Sequence, residues 1–212
     1  MALDNFTNLK AEIASWLNRQ DLTSVIPTFI TLLEAQVNRD LRVREMLTSA
    51  TGSLATTGII ATPADFSGVH ELVITDTSGP RVLEYASMDE VDRVRHERDD
   101  VTDTPRVYTI RGSDIVVAPL PDDTYAYTLW YYQKIPSLSD AAPTNWFLTK
   151  HPDVYLYGSL MQAAPFLHND ERISVWGAAL GAILEQIRLA DERETRGRGP
   201  LKLRFRPYGG KR

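Results

Sequence analysis

Apolar residues recur at helical spacing at both ends of this chain, and the pattern stops between them. Near the start, residues 6–17 and 25–47 carry apolar side chains three or four positions apart, which predicts two amphipathic helices. Pro27 falls in the first turn of the second helix, where proline is tolerated. We expect the two helices to form an antiparallel pair. Their predicted apolar stripes are Phe6, Leu9, Ile13, Trp16 and Leu17, and Ile26, Phe29, Ile30, Leu33, Val37 and Leu41.

The helical pattern returns in the last third of the chain. A helix is predicted over residues 152–164, with one proline at its first position and another as its stop. Asn169 or Asp170 can cap a last helix that reaches about Thr195. The apolar stripe of this helix is Ile173, Trp176, Leu180, Ile183, Leu184 and Ile187.

Between the helical ends, β-branched residues, glycine and proline become common, which favours strands and turns. Ser87 and Glu90 form a capping box, so a short helix is predicted from Met88 to about Arg98. A hairpin turn is predicted at residues 112–113. The predicted strands are residues 58–61, 69–75, 81–85, 106–111, 114–118 and 125–133.

This order of elements predicts an α+β fold in which the N- and C-terminal helices form one bundle. Residues 1–50 and 145–196 would make the helical core, and residues 51–144 a central β-rich insertion. Residues 197–212 would leave the core as an extended basic C-terminal arm. With 212 residues, the chain is long enough to bury a substantial core.

The formal net charge of −5 conceals an uneven distribution. From Arg193 to the end there are eight basic residues and one acidic residue, Glu194, a net charge of +7. The rest of the chain has 15 basic and 27 acidic residues, a net charge of −12. An acidic body with a basic tail indicates that the two parts meet different partners.

The chain contains no cysteine, which excludes disulfides and thiolate metal sites and fits a reducing compartment. No apolar run approaches the roughly 20 residues that span a bilayer. The N-terminus lacks the basic start and apolar stretch of a signal peptide. We therefore expect a protein that folds in a cytoplasm and has no membrane partner.

Residues that could carry catalysis are scattered along the sequence. His70, His96, His151 and His168 lack the spacing that would place two imidazoles on one helix face. His168 and Glu171 could share a metal ion, but a histidine at a helix end more commonly interacts with the helix dipole. There is neither a glycine-rich phosphate loop nor a nucleophile elbow. We predict no enzyme activity, no metal and no cofactor.

The C-terminal tail combines its charge with a regular apolar row. Apolar and basic residues alternate over residues 201–206, which is typical of an extended strand with one apolar and one basic face. A tail that only interacts with solvent does not need such a row, whereas an arm that adds to the sheet edge of a partner does. The predicted partner-binding residues are Arg198, Leu201, Lys202, Leu203, Arg204, Phe205, Arg206 and Tyr208.

Several segments in order resemble one family of viral proteins. Residues 26–30 read IPTFI and residues 34–42 read EAQVNRDLR. Residues 131–146 read YYQKIPSLSDAAPTNW, and residues 151–158 read HPDVYLYG. This set resembles the adaptor, or head–tail connector, proteins of tailed bacteriophages, from the first helix to about Asp191.

The resemblance implies a structural virion protein. Such adaptors form a dodecameric ring beneath the portal, give the tail its docking surface and surround the channel through which genomic DNA passes. The implied partners are further copies of the chain, the portal protein, and tail, tail-terminator or nozzle proteins, with DNA passing through without sequence-specific binding. The implied location is the neck of the virion, after synthesis in the bacterial cytoplasm. An acidic channel lining would repel phosphates and let the genome slide.

Two other functions fit parts of the sequence less well. A nucleic-acid-binding module could grip phosphates with the basic tail, although the body is acidic and the tail contains an apolar row. The aromatic run Trp130-Tyr131-Tyr132 could stack bases, but alternation across a buried sheet explains it better. A small hydrolase is the third interpretation, and it lacks paired catalytic residues.

Overall fold

The structure of the protein, a computed structural model, describes residues 3–19, 21–96, 102–167 and 171–195. These residues form a mixed α+β fold, which confirms the predicted fold class. The helices are α1 (Phe6–Leu17), α2 (Ile26–Asp40), α3 (Met88–His96), α4 (Trp146–Lys150), α5 (Pro152–Gln162) and α6 (Arg172–Thr195). The strands are β1 (Leu47–Leu54), β2 (Ile59–Ala61), β3 (Phe66–Asp76), β4 (Gly79–Val82), β5 (Glu84–Tyr85), β6 (Val107–Arg111), β7 (Asp114–Ala118) and β8 (Tyr125–Gln133).

Helices from both ends of the chain share one apolar core. Helix α5 contacts α1, α2 and α6, and α1 also contacts α2. The side chain of Asn5 caps the first turn of α1 by accepting the backbone N–H of Asn8. The predicted stripes supply half of the buried side chains of this core. Among the other stripe residues, Trp16 is 39% exposed, and Ile173, Ile183, Leu184 and Ile187 are partly buried. The buried side chains of the core include Leu9, Ile13, Ile26, Phe29, Ile30, Leu33, Phe147, Leu148, Val154, Tyr155 and Leu160.

The middle of the chain forms two four-stranded sheets. The first sheet has the strand order β1-β8-β3-β4, and all of its neighbouring strands are antiparallel. The second sheet has the order β2-β7-β6-β5 and is antiparallel except for the pair β5–β6. Residues from both sheets enclose a separate apolar core, whose buried members are Leu54, Ile60, Leu72, Ile74, Leu83, Tyr108, Ile115, Val117, Tyr125, Leu129 and Tyr131.

Helix α3 covers the second sheet. Its buried Val91 packs with Val116 and Ala118 of β7. The guanidinium of Arg95 donates to the carbonyl oxygens of Val117 and Gly58, at 2.7 and 3.2 Å for its Nη2 atom. The predicted capping box is present in part, because the Ser87 hydroxyl accepts the backbone N–H of Glu90 at 3.3 Å.

The second predicted helix, residues 25–47, is wrong in its length. Helix α2 ends at Asp40, a 3₁₀ turn spans Arg44–Met46, and strand β1 begins at Leu47. The apolar pattern continues past the end of the helix, because Leu41 lies four residues after Val37 and is also buried. The backbone of Leu41 is nevertheless extended. Pairing with the long strand β8 takes over from Leu47 onward.

The other predicted elements occur with small shifts. The hairpin β6–β7 turns at Gly112 as predicted, with a φ of 65° that glycine adopts without strain. The predicted strand 81–85 divides into β4 and β5, which belong to different sheets. Strand β8 follows the predicted alternation, since Leu129 and Tyr131 are buried while Trp130 is 39% exposed.

Candidate assembly surface

All eight predicted partner-binding residues, Arg198, Leu201, Lys202, Leu203, Arg204, Phe205, Arg206 and Tyr208, lie outside the described residues. The structure does describe the end of α6, which precedes them in the sequence. We call the contacts of Arg44, Asp191 and Glu194 the tail root. The backbone N–H of Arg44 donates to Asp191 Oδ1 at 2.8 Å, and its guanidinium pairs with Glu194. The end of α6 is therefore held beside the turn that precedes β1.

A shallow cleft surrounds the tail root. Lys150 at the end of α4 forms an ion pair with Glu45 on its other wall. His151 also lines it, and burial lowers the pKa of its imidazole, while Asp153 and Glu45 act in the opposite direction. The cleft is lined by Val43, Arg44, Glu45, Lys150, His151, Ile187, Ala190, Asp191 and Glu194.

Helix α6 is apolar but mostly uncovered. Only Trp176 and Leu180 are buried among its 24 residues, whereas Val175 is 65% and Leu189 41% exposed. Val175, Ala178, Ala182 and Leu189 lie on one face at helical spacing, opposite the face that packs on α5. Helix α6 is long and apolar enough, by length and composition, to cross a membrane. Its exposed valine, leucine and alanine side chains form a surface that is uncommon on a protein.

The free edge of the first sheet is a second uncommon surface. Strand β1 is an edge strand of eight residues without a charge or a proline. Ala50 and Leu54 point to the core between the sheets, and Ser49, Thr51 and Ser53 alternate with them on the exposed outer face. On that face Ser49 is paired with the exposed Trp130.

A buried polar network joins the helical core to the segment that leaves the sheets. Glu34, 4% exposed, accepts the backbone N–H of Leu138 at 2.8 Å and the hydroxyl of Tyr155 at 3.1 Å through Oε1. Asn145 donates to Tyr155 Oη and to the Pro136 carbonyl oxygen, both at 2.7 Å. Its Oδ1 atom caps α4 by accepting the Leu148 N–H.

Burial raises the pKa of both acidic groups of this network, the Glu34 carboxyl and the Tyr155 hydroxyl. The hydrogen bonds that Glu34 accepts counteract the rise in its pKa. The Tyr155 hydroxyl stays protonated as a donor. The network, together with the bond from the Ile135 N–H to Asn38, fixes the path of residues 134–145 across the helices.

The histidines stay apart where the structure describes them. His70 stacks edge-on with Tyr132, His96 contacts the Asp92 carbonyl oxygen in α3, and His151 lies at the tail-root cleft. His168 lies outside the described residues. Within the described ranges, no three histidine, aspartate or glutamate side chains are grouped so that they could hold a metal ion.

The sequence predicted the tail as the partner-binding segment, but it did not predict the free edge of β1 or the exposed face of α6. The edge at β1 was hidden by the prediction that residues up to 47 are helical. A signal for it exists, because no charged residue occurs in residues 46–64. The burial of Glu34 had no local signal, since a glutamate on a helix is normally exposed.

The exposed apolar face of α6 and the unprotected edge strand β1 are features of surfaces that bind other proteins. Residues 4–204 match the family described as SU10 adaptor protein, and the chain belongs to this family of phage adaptors. No curated protein sequence matches the chain. Membership implies a structural protein of the virion neck that contacts other phage head and tail proteins and copies of itself.

Proposed function

We propose that this protein forms the ring that joins the portal to the tail and surrounds the DNA channel, with twelve copies as the resemblance implies. The observation that carries the proposal is the exposed apolar face of α6 in a chain that belongs to an adaptor family. An apolar face of this length is stable in water when a neighbouring subunit covers it. In this proposal residues 1–50 and 145–196 form the helical bundle, apart from residues 47–50, which belong to strand β1, and residues 51–144 form the insertion.

The charge distribution supports the proposal that the ring surrounds DNA without binding it. The body carries a net charge of −12, so a ring of such bodies would repel the phosphate backbone and let it slide. The basic arm, residues 197–212, leaves the body at the tail root and docks on the portal or on neighbouring subunits. Its apolar row supplies the contact area, and its basic residues steer the encounter with acidic surfaces.

Deletion of residues 197–212 tests this proposal. The truncated protein should keep its thermal midpoint, because the two cores lie within the described residues that remain. Incorporation into heads should fail, and electron microscopy should show capsids without tails. A matched control replaces the same residues by a Gly/Ser sequence of equal length. A truncated protein that joins portals normally, or that unfolds, would contradict the docking role of the arm.

The tail charge of +7 also favours a second candidate function, phosphate binding by the arm. A nucleic-acid-binding protein should bind duplex DNA tightly at low salt and lose that affinity steeply as salt rises. The ring proposal predicts weak DNA binding by the full-length protein at every salt concentration. Fluorescence anisotropy between 50 and 300 mM salt separates the two functions.

A further inference from the structure

The four sheet edges within the described residues differ in how they are protected. Strand β4 has four residues, among them Pro80 and Arg81, and β2 and β5 have only three and two residues. Short edges, proline and inserted charge are the usual means of preventing unwanted pairing. Strand β1 has eight residues and none of these features, so its outward N–H and C=O groups can accept another strand.

The two faces of β1 would suit a strand with one apolar and one polar face. Ala50 and Leu54 belong to its inner row, which borders the core between the sheets. The outer row, with Ser49, Thr51 and Ser53, is exposed and uncharged. Residues 201–206 alternate in the same way, with leucine or phenylalanine at odd positions and lysine or arginine at even positions. Side chains alternate between the two faces of a sheet, so a paired strand would place all its apolar residues on the inner face of β1 and all its basic residues on the outer face.

We infer that β1 is the receptor strand for the arm of a neighbouring copy of this chain. Residues 201–206 of that copy add to β1 as a fifth strand of the first sheet, with their apolar row over the inner edge. The basic row then lies on the outer face, beside Thr51. This inference rests on the proposed function and names the site on the neighbouring subunit that the arm binds.

The position of the tail root favours a neighbouring copy as the source of the arm. Residue 195 follows Glu194, which pairs with Arg44, and Arg44 lies three residues before β1. The six residue steps from Thr195 to Leu201 span at most about 22 Å, which does not bring residue 201 to the far end of β1 at Leu54. An arm that ran along its own β1 would start at Leu47 and be parallel to it, whereas every pair in this sheet is antiparallel. An arm from a neighbour can enter from Leu54 and form the stronger antiparallel pair.

Cross-linking tests the inference directly, because the chain contains no cysteine. Two full-length variants, Thr51→Cys and Arg204→Cys, are co-expressed with the other head proteins, and the particles are isolated and mildly oxidised. Because each chain carries one thiol, a disulfide between the cysteine at position 51 of one chain and the cysteine at position 204 of another gives a dimer on a non-reducing gel. Ser49→Cys and Ser53→Cys replace Thr51→Cys in parallel samples to cover the possible registers.

The matched control uses Leu203→Cys in place of Arg204→Cys, which moves the thiol to the other face of the arm. We expect at least tenfold less dimer with this control at the best β1 position. No dimer above the control at positions 49, 51 and 53, or an arm thiol cross-linked to the portal instead, would overturn the inference. So would a bond that forms only within one chain when both cysteines are placed in the same molecule.

Counting neck rings by electron microscopy in the same samples separates this inference from the proposed function. Rings in which Arg204→Cys forms no disulfide with a cysteine at position 49, 51 or 53 would reject the β1 site and leave the adaptor role intact. Wild-type particles without rings of this protein would reject the proposed function itself.

Discussion

At the residue scale, the buried carboxyl group of Glu34 connects three separate parts of the chain. Its Oε1 atom accepts hydrogen bonds from the loop at Leu138 and from Tyr155 of α5, while Glu34 itself belongs to α2. Burial of this carboxyl group favours its protonated form, whereas the hydrogen bonds that it accepts favour the carboxylate and offset the effect of burial only in part. The raised pKa of Glu34 therefore couples the stability of this junction to pH.

We predict that Glu34→Gln removes this coupling. The stabilisation that a raised pKa provides is complete below the ordinary value of 4.5 and is lost as pH rises through the pKa of the folded state. Glutamine does not ionise, so the thermal midpoint of the variant relative to wild type should be highest near pH 8 and fall steadily towards pH 4. Glu84→Gln, at an exposed position, is the control and should show no such trend. A trend of opposite sign would mean that folding lowers the pKa of Glu34, and it would contradict the prediction.

A second residue-scale prediction concerns two helical glycines. A Cβ atom on Gly158 would lie 2.3 Å from Leu33 Cδ1, and Leu33 is buried in the α2–α5 contact. Gly158→Ala should therefore cost about 1–3 kcal/mol of unfolding free energy by overpacking. Gly181 has nothing within 4 Å, so Gly181→Ala in α6 should gain about 0.5–1 kcal/mol through helix propensity. Urea unfolding measures both, and equal effects would contradict the close approach of α2 and α5.

At the scale of elements, α6 packs on α5 with one face and leaves the opposite face free. The glycines of this helix behave differently, since a Cβ on Gly177 would meet the Met161 sulfur at 2.8 Å while Gly181 is open. The free face is the part of α6 that we assign to contacts between subunits. A change there should separate folding from assembly.

We predict that Val175→Glu leaves the thermal stability of the protein within about 0.5 kcal/mol of wild type, because Val175 is exposed. Assembly into neck rings should fail, since the glutamate would be buried without a partner. Leu32→Glu on α2, also at an exposed position, is the control and should retain rings. Particle counts by electron microscopy measure the result. Rings with Val175→Glu, or their loss with both variants, would contradict the assignment of α6.

Most elements followed from local patterns, and the exceptions have physical causes. Helices α1 and α5 and the hairpin β6–β7 have strong periodicity and clear end signals, and they were predicted nearly to the residue. The end of α2 was not, because burial of Leu41 continues the helical stripe after the backbone has become extended. Strand pairing between β1 and β8 depends on residues about 80 positions apart, and local periodicity does not report such contacts.

The assembly surfaces show the same division. The proposed arm could be predicted from the sequence because charge and alternation are local properties. The free edge of β1 could not be predicted, because whether a strand lies at an edge depends on the order of all the strands in its sheet. The exposed face of α6 was also not visible, since its apolar residues look like core residues until the packing on α5 is known.

At the scale of the whole molecule, the opposite charges of body and tail act before any contact forms. Charges of −12 and +7 attract one another over distances comparable with the Debye length, about 10 Å at 0.1 M salt. Such attraction raises the rate of association more than the final affinity. We therefore expect these subunits to associate faster than uncharged subunits of the same shape would.

We predict that the rate at which the protein joins purified heads falls at least about tenfold between 50 and 500 mM salt, because screening removes the electrostatic steering. Light scattering follows the rate. A variant with Lys202, Arg204 and Arg206 changed to glutamine is the control, and it should assemble slowly at low salt with little further change. A wild-type rate that does not depend on salt would contradict electrostatic steering by the tail.

The tail root has a mechanical consequence. Helix α6 is about 36 Å long, and Arg172 and Arg188 anchor it to the carbonyl oxygens of Trp16 and Asp40. In the proposed assembly, a pull on the arm would enter the protein through Asp191 and Glu194, which contact Arg44 between the helical core and the first sheet. The load is then shared by a rigid rod held at several points, so a tail under tension would strain the joint between the two cores before it could peel either core apart.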